Sequence, residues 1–156
     1  MRIVPIDIIP LNESLVNRSR NAISFLNKHQ NAFEFSLLEG LDIQLPINNP
    51  IQTTELYRLY DNNRSKIKGY HPNIILVIIQ KLNGKKLSNL FGSMESKDQL
   101  LTGKAITTTY RVGDLIENIP LDVYLVFEFI SFAIRFLGGR GMIHAEKKYC
   151  PFDSKI

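Results

Sequence analysis

Apolar and polar positions alternate in distinct regimes along the chain, and each regime predicts an element. Arg2 to Ile9 is β-branched and apolar and is bounded by Pro10, which predicts a first strand. Leu15, Ser19, Ala22, Ile23 and Leu26 then recur at helical spacing, so a helix runs to about Lys28, with Asn12 or Ser14 as the residue accepting from its first-turn amides. Ala32 to Leu38 alternates, Phe33, Phe35 and Leu37 on one face and Glu34 and Ser36 on the other, which predicts a second strand. Glu39 to Gln52 holds Pro46 and Pro50 and is a surface connection. Thr53 or Thr54 caps the next helix, whose buried stripe is Leu56, Leu59, Tyr60 and Ile67. Ile74 to Ile79 is apolar without a break, as in a central strand covered on both faces.

The second half is read the same way. Leu87 to Met94 is a short strand ending at Phe91-Gly92, Glu95 to Gly103 a polar loop, and Lys104 to Val112 another strand. Asn118 caps a last helix that opens at Pro120 and is closed by Gly138-Gly139. Its stretch Leu121 to Leu137 is apolar almost all round, and Asp122, Glu128 and Arg135 make it a buried helix rather than a membrane span. The order is βαβαβ, two further strands, a hydrophobic helix and a tail. The expected fold is a single α/β layered domain over 1–156. Its sheet is mixed and mostly parallel, with about three flanking helices and a C-terminal tail at 138–156.

Bulk properties narrow the setting. The 156 residues suffice for one domain with a real core, and 44 % apolar and 22 % charged residues are those of an ordinary globule. A single cysteine excludes an internal disulfide framework and fits a reducing cytoplasm. The N-terminus is a poor signal peptide, with Pro5 and Asp7 inside its apolar run. The net charge is +4, with lysines gathered at Lys66/Lys68, Lys81/Lys85/Lys86 and Lys147/Lys148/Lys155. These clusters lack interleaved arginine and aromatics, so solvated lysines are favoured over a nucleic-acid surface.

Reactive side chains concentrate in the tail. His144-x-Glu146-x-x-x-Cys150, followed by Asp153, brings nitrogen, oxygen and sulfur donors into one segment. On a strand His144 and Glu146 would share a face about 7 Å apart. Zinc accepts all of these ligand types, so the tail is a candidate metal site. The competing reading is a satisfied histidine, an exposed glutamate and a small buried thiol, because zinc sites draw on more cysteine or histidine than this. A third uses Cys150 as nucleophile and His144 as base, with Lys147 and Lys148 favouring thiolate. On the last helix Glu128, Ser131 and Arg135 share a stripe. They read as a polar edge facing solvent, as an ion pair bracketing Ser131, or with Glu128 beside the tail as a catalytic group. No glycine-rich phosphate loop is present. His71 stands at the wrong end of its strand for a crevice, and His29 ends a helix.

The layout from Met1 to Val112, with Leu90-Phe91-Gly92 and Ala105-Ile106-Thr107-Thr108-Thr109-Tyr110-Arg111, resembles the archaemetzincin branch of the metzincin zinc proteases. In that family the following helix carries His-Glu-x-x-His, and here it has no histidine, so the family's zinc ligands and catalytic glutamate do not carry over. The resemblance implies a protease-derived domain without the family's protease chemistry. The tail also resembles a group of uncharacterised bacterial proteins with His-x-Glu followed by Cys-x-Phe-Asp. The leading expectation is a cytoplasmic binding or regulatory module, with a protein partner or a second copy. His144, Glu146, Cys150 and Asp153 would be its metal donors. The alternative is a divergent metal-dependent hydrolase in which Glu146 or Glu128 activates a metal-bound water. A nucleic-acid-associated basic protein comes third.

Overall fold

The computed structural model describes residues 3–46, 49–66, 72–88 and 90–137. Strand β1 (Val4–Pro10) leads through a single turn, Glu13–Leu15, into helix α1 (Val16–His29), then β2 (Phe33–Leu37). A connection follows to the short β3 (Ile51–Gln52), helix α2 (Thr53–Asn63) and the central β4 (Ile74–Ile78). The chain continues through β5 (Leu82–Asn83), β6 (Gly92–Lys97), β7 (Leu100–Thr108), the one-turn α3 (Val112–Leu115) and α4 (Leu121–Phe136). The main sheet has the order β2-β1-β4-β7-β6, and β3 and β5 pair separately. Four of its strands run parallel and β6 alone runs antiparallel, against β7. The expected mixed, mostly parallel sheet with three main helices is the fold observed.

The two faces of the sheet carry separate cores. On one, Ile6, Ile8, Ile75, Val77 and Ala105 meet α1 and α4. On the other, Ile9, Ile74, Leu76, Ile78 and Ile106 meet α2 through Leu56, Tyr57 and Tyr60. All of Ile74–Ile78 is buried, because alternate side chains feed opposite cores. The stripe expected on α2 is shifted: Tyr57 is buried and Leu59 only partly, while Ile67 lies outside the described residues.

The second half corrects the sequence reading. Glu95 to Gly103 is not a loop but most of a hairpin, β6 turning directly into β7. Asp98 and Gln99 form its two-residue turn with φ of 50° and 65°. Both central residues are left-handed, as such a turn requires, yet neither is glycine, so the usual turn signal is missing. The expected strand over Lys104 to Val112 therefore starts earlier and ends at Thr108. The capping expectations also change. Asn12 Oδ1 accepts from the Ile79 amide at 3.0 Å, tying the entry of α1 to the end of β4 instead of capping a helix. Asn118 has φ 64°, and the Pro120 carbonyl accepts from the Val123 amide at 3.0 Å. Gln52, not a threonine side chain, occupies the cap position of α2.

Candidate functional site

The most developed polar site among the described residues lies where α2 overlooks the edge strand β6. Threonine, tyrosine and aspartate at positions 53, 57 and 61 follow at spacings of four, so they stack along one side of α2. That side faces β6, and the space between them is a groove of about 690 Å³. Tyr57 reaches across and donates its hydroxyl to Ser93 Oγ at 3.3 Å. Burial holds the Tyr57 phenol far above its ordinary pKa; the Ser93 hydrogen bond opposes this, and the Glu95 charge adds to it.

Beneath the groove is a three-membered charge cluster. Lys104 on β7 points to the α2 face and is 7 % exposed, a burial that lysine tolerates only with partners. Its ammonium donates to Asp61 Oδ1 at 2.8 Å and Oδ2 at 2.9 Å, and lies 2.8 Å from Glu95 Oε1. Thr102 Oγ1 donates to the same Glu95 oxygen at 2.9 Å. Burial works to lower the Lys104 pKa, but the hydrogen bonds and charges of Asp61 and Glu95 outweigh it and hold it above the ordinary 10.5. The floor itself holds one cation against two carboxylates, and Arg58, Lys85 and Lys97, which also line the groove, leave the site net positive. Hydroxyls of Thr53, Thr54, Ser93 and Ser96 complete it. The lining thus offers cations, carboxylates and hydroxyls that can engage a ligand by charge and hydrogen bonding. β6 is also the sheet edge, so its outer backbone groups face no strand among the described residues.

Glu128 sits on the other face. It is buried on α4, 4 % exposed, and Thr107 Oγ1 donates to its Oε2 at 3.2 Å. The solvent-facing reading of this residue is thereby overturned: α4 turns it toward β7, where a polar partner meets it. Gly92 lets the helix approach, since a Cβ there would stand 2.8 Å from Phe132 Cζ and 3.5 Å from Glu128 Oε2. Nearby, Tyr124 donates to the Thr108 carbonyl at 3.1 Å. Arg135 lies 5.8 Å over the Phe132 ring, and its Nε finds no acceptor among the described residues. Burial lowers its pKa, opposed by the charge of Glu128.

Of the other candidates, His144, Glu146, Cys150 and Asp153 lie outside the described residues, as do His71, Lys68 and the tail lysines. Among the described residues no three His, Cys, Asp or Glu side chains converge as a metal site would need. His29 ends α1, with Nδ1 2.8 Å from the Phe25 carbonyl and its ring stacked on Phe25. Of the lysine clusters, Lys85 reaches the groove. Sequence reasoning missed Lys104, Asp61 and Glu95. The available signal was a lysine on the same strand face as Ile106, which calls for buried carboxylates.

No protein-family model and no curated protein sequence matches this chain. Among solved structures, the archaemetzincin from Methanopyrus kandleri is similar in fold. The TM-score is 0.57 at 11 % identity, covering 97 % of this chain and 81 % of that one. At that identity the likeness concerns the fold alone. The described residues include no helix long and apolar enough to cross a membrane.

Proposed function

We propose that this chain is a polypeptide-binding module on an archaemetzincin-like fold, taking an extended acidic segment along β6. The observation that carries the reading is the open antiparallel edge beside a groove whose three outer cations leave it net positive above the Lys104–Asp61–Glu95 cluster. An added strand would satisfy the outer backbone groups of β6, and alternate side chains would enter the groove. Arg58, Lys85 and Lys97 would favour carboxylates there and speed encounter. The site is a binding or regulatory one, in a cytoplasm that keeps the single cysteine reduced.

The test is fluorescence anisotropy of an acidic ten-residue peptide and its lysine-substituted counterpart. The acidic peptide should bind more tightly and lose affinity with salt. Arg58→Glu and Lys97→Glu should each weaken it by about twofold to fivefold, the scale of a lost charge contact at a partly exposed rim. Equal binding of both peptides, or indifference to both variants, would sink the reading.

A second reading, a divergent metal-dependent hydrolase, is favoured by the likeness to archaemetzincin. The described residues do not supply a zinc site by themselves. Its donors would have to include the tail residues His144, Glu146, Cys150 and Asp153, with Glu146 or Glu128 as the base. Stoichiometric zinc lost in His144→Ala and Cys150→Ser, together with peptide hydrolysis lost in Glu146→Gln, would support it. Metal-free, folded and inactive protein would exclude it.

A further inference from the structure

We propose that the segment taken along β6 carries a phosphorylated serine or threonine, and that the groove between α2 and β6 holds its phosphate. The inference rests on the polypeptide-binding reading of that groove and names what the polypeptide must carry. Three cations reach the groove from separate parts of the chain: Arg58 from α2, Lys85 from the turn after β5, and Lys97 from the end of β6. The turn that carries Lys85 is closed by the Gly84 amide, which donates to the Leu87 carbonyl at 2.8 Å. None of the three cations is paired with a carboxylate among the described residues. Elsewhere Arg18, Arg20, Lys104 and Arg111 all are.

Charge selects a dianion. The groove and its floor hold four cations, Arg58, Lys85, Lys97 and Lys104, against two carboxylates, Asp61 and Glu95, which leaves two positive charges. Both carboxylates lie 2.8 Å from the Lys104 ammonium, so the excess belongs to the outer three cations. A phosphomonoester carries about −1.5 to −2 charges at pH 7 and three acceptor oxygens, where a carboxylate carries a single charge and two. One phosphate therefore meets the whole excess, and one Asp or Glu of a partner meets half of it. Hydroxyls of Thr53, Thr54, Ser93 and Ser96 in the same lining can donate to the remaining oxygens. Gln52, the cap residue of α2, makes no side-chain hydrogen bond, so the first turn at Thr53 and Thr54 adds to the same positive field.

The sheet edge selects a polypeptide as the carrier of that phosphate. Residues 93 to 97 line the groove and belong to the edge strand, so a ligand seated on the cations runs beside backbone groups that another extended backbone satisfies. A nucleic acid would instead need an aromatic face on which its bases stack. Tyr57, the aromatic residue of the described lining, is 4 % exposed and offers none.

Fluorescence anisotropy with the full chain tests this, using one acidic peptide made with serine, glutamate or phosphoserine at its centre. The phosphoserine form should bind about tenfold more tightly than the serine form, the scale of two or three exposed charge contacts together, with the glutamate form between them. The double variant Arg58→Gln/Lys85→Gln, at two exposed positions, should keep the wild-type far-UV circular dichroism and reduce that ratio to under about twofold. Inorganic phosphate alone should compete only in the millimolar range. If the serine form binds and phosphoserine adds nothing, this inference falls and the polypeptide-binding reading stands; if no form binds, both fall. The inference is also overturned by a phosphoserine preference that survives the double variant. Displacement of the phosphopeptide by micromolar inorganic phosphate, or tighter binding of a single-stranded oligonucleotide than of the phosphopeptide, overturns it as well.

Discussion

Replacing Lys104 with methionine keeps the aliphatic stem that packs beside Ile106 and removes only the charge. Two carboxylates then lose their common cation, but they are not equivalent. The Glu95 side chain is 15 % exposed and the Asp61 side chain 39 %. Removing one member of a buried pair costs about 3–5 kcal/mol, because the survivor remains desolvated. Thr102 still donates to Glu95, which places this site near the lower end. Asp61 can rehydrate, so its share is about 0.5 kcal/mol. The expected loss is about 3 kcal/mol. With a urea dependence of about 1.5 kcal/mol per molar, the midpoint falls by about 2 M. The chain has no tryptophan, so far-UV circular dichroism is the natural probe. A double-mutant cycle should give a coupling of about 2 kcal/mol between Lys104→Met and Glu95→Gln. With Asp61→Asn it should be under about 0.5 kcal/mol, despite the two-oxygen contact. A total loss below about 1 kcal/mol, or stronger coupling to Asp61 than to Glu95, would refute the reasoning that burial outweighs geometry.

The pH dependence has a definite sign. A lysine pKa raised in the folded state adds stability that is complete below the unfolded value of 10.5 and is lost as pH rises through the folded value. The gap between wild type and Lys104→Met should therefore narrow above about pH 10.5. Tyr57 and Tyr124, raised by burial from 10.0, also make both proteins less stable in alkali. That loss is common to the two proteins and largely cancels in the difference.

Three other outcomes follow from the backbone and core. Gly103 has φ +89°, and a Cβ there would stand 2.4 Å from the Pro72 carbonyl oxygen; Gly103→Ala should cost at least about 2 kcal/mol in urea unfolding. Gln99 is held at φ 65° in the hairpin turn, so Gln99→Gly should raise stability by about 0.5–1 kcal/mol, and a loss would contradict the assigned turn. Phe129 is fully buried between α4 and the sheet, and Phe129→Ala should cost about 3–5 kcal/mol by the same assay.

The sequence by itself determined the elements whose side-chain period is strong. Alternating phenylalanines announced β2, the unbroken run from Ile74 marked the sheet centre, and helical spacing placed α1 and α2. Those signals are local, because which face of a strand or helix is buried repeats every two or every three to four residues. Lys104, Asp61 and Glu95 gave no such signal. The contact between Lys104 and Asp61 joins residues 43 apart, made neighbours only when α2 settles on the sheet. The β6–β7 hairpin was hidden for a related reason: its polar strand sits at an edge, and its turn holds left-handed φ without glycine. Helix α4 was legible as apolar, but its two sides were not separable until the sheet covered one of them. Tertiary structure alone decided that Glu128 faces Thr107, and that Val123 and Phe127 are left in solvent.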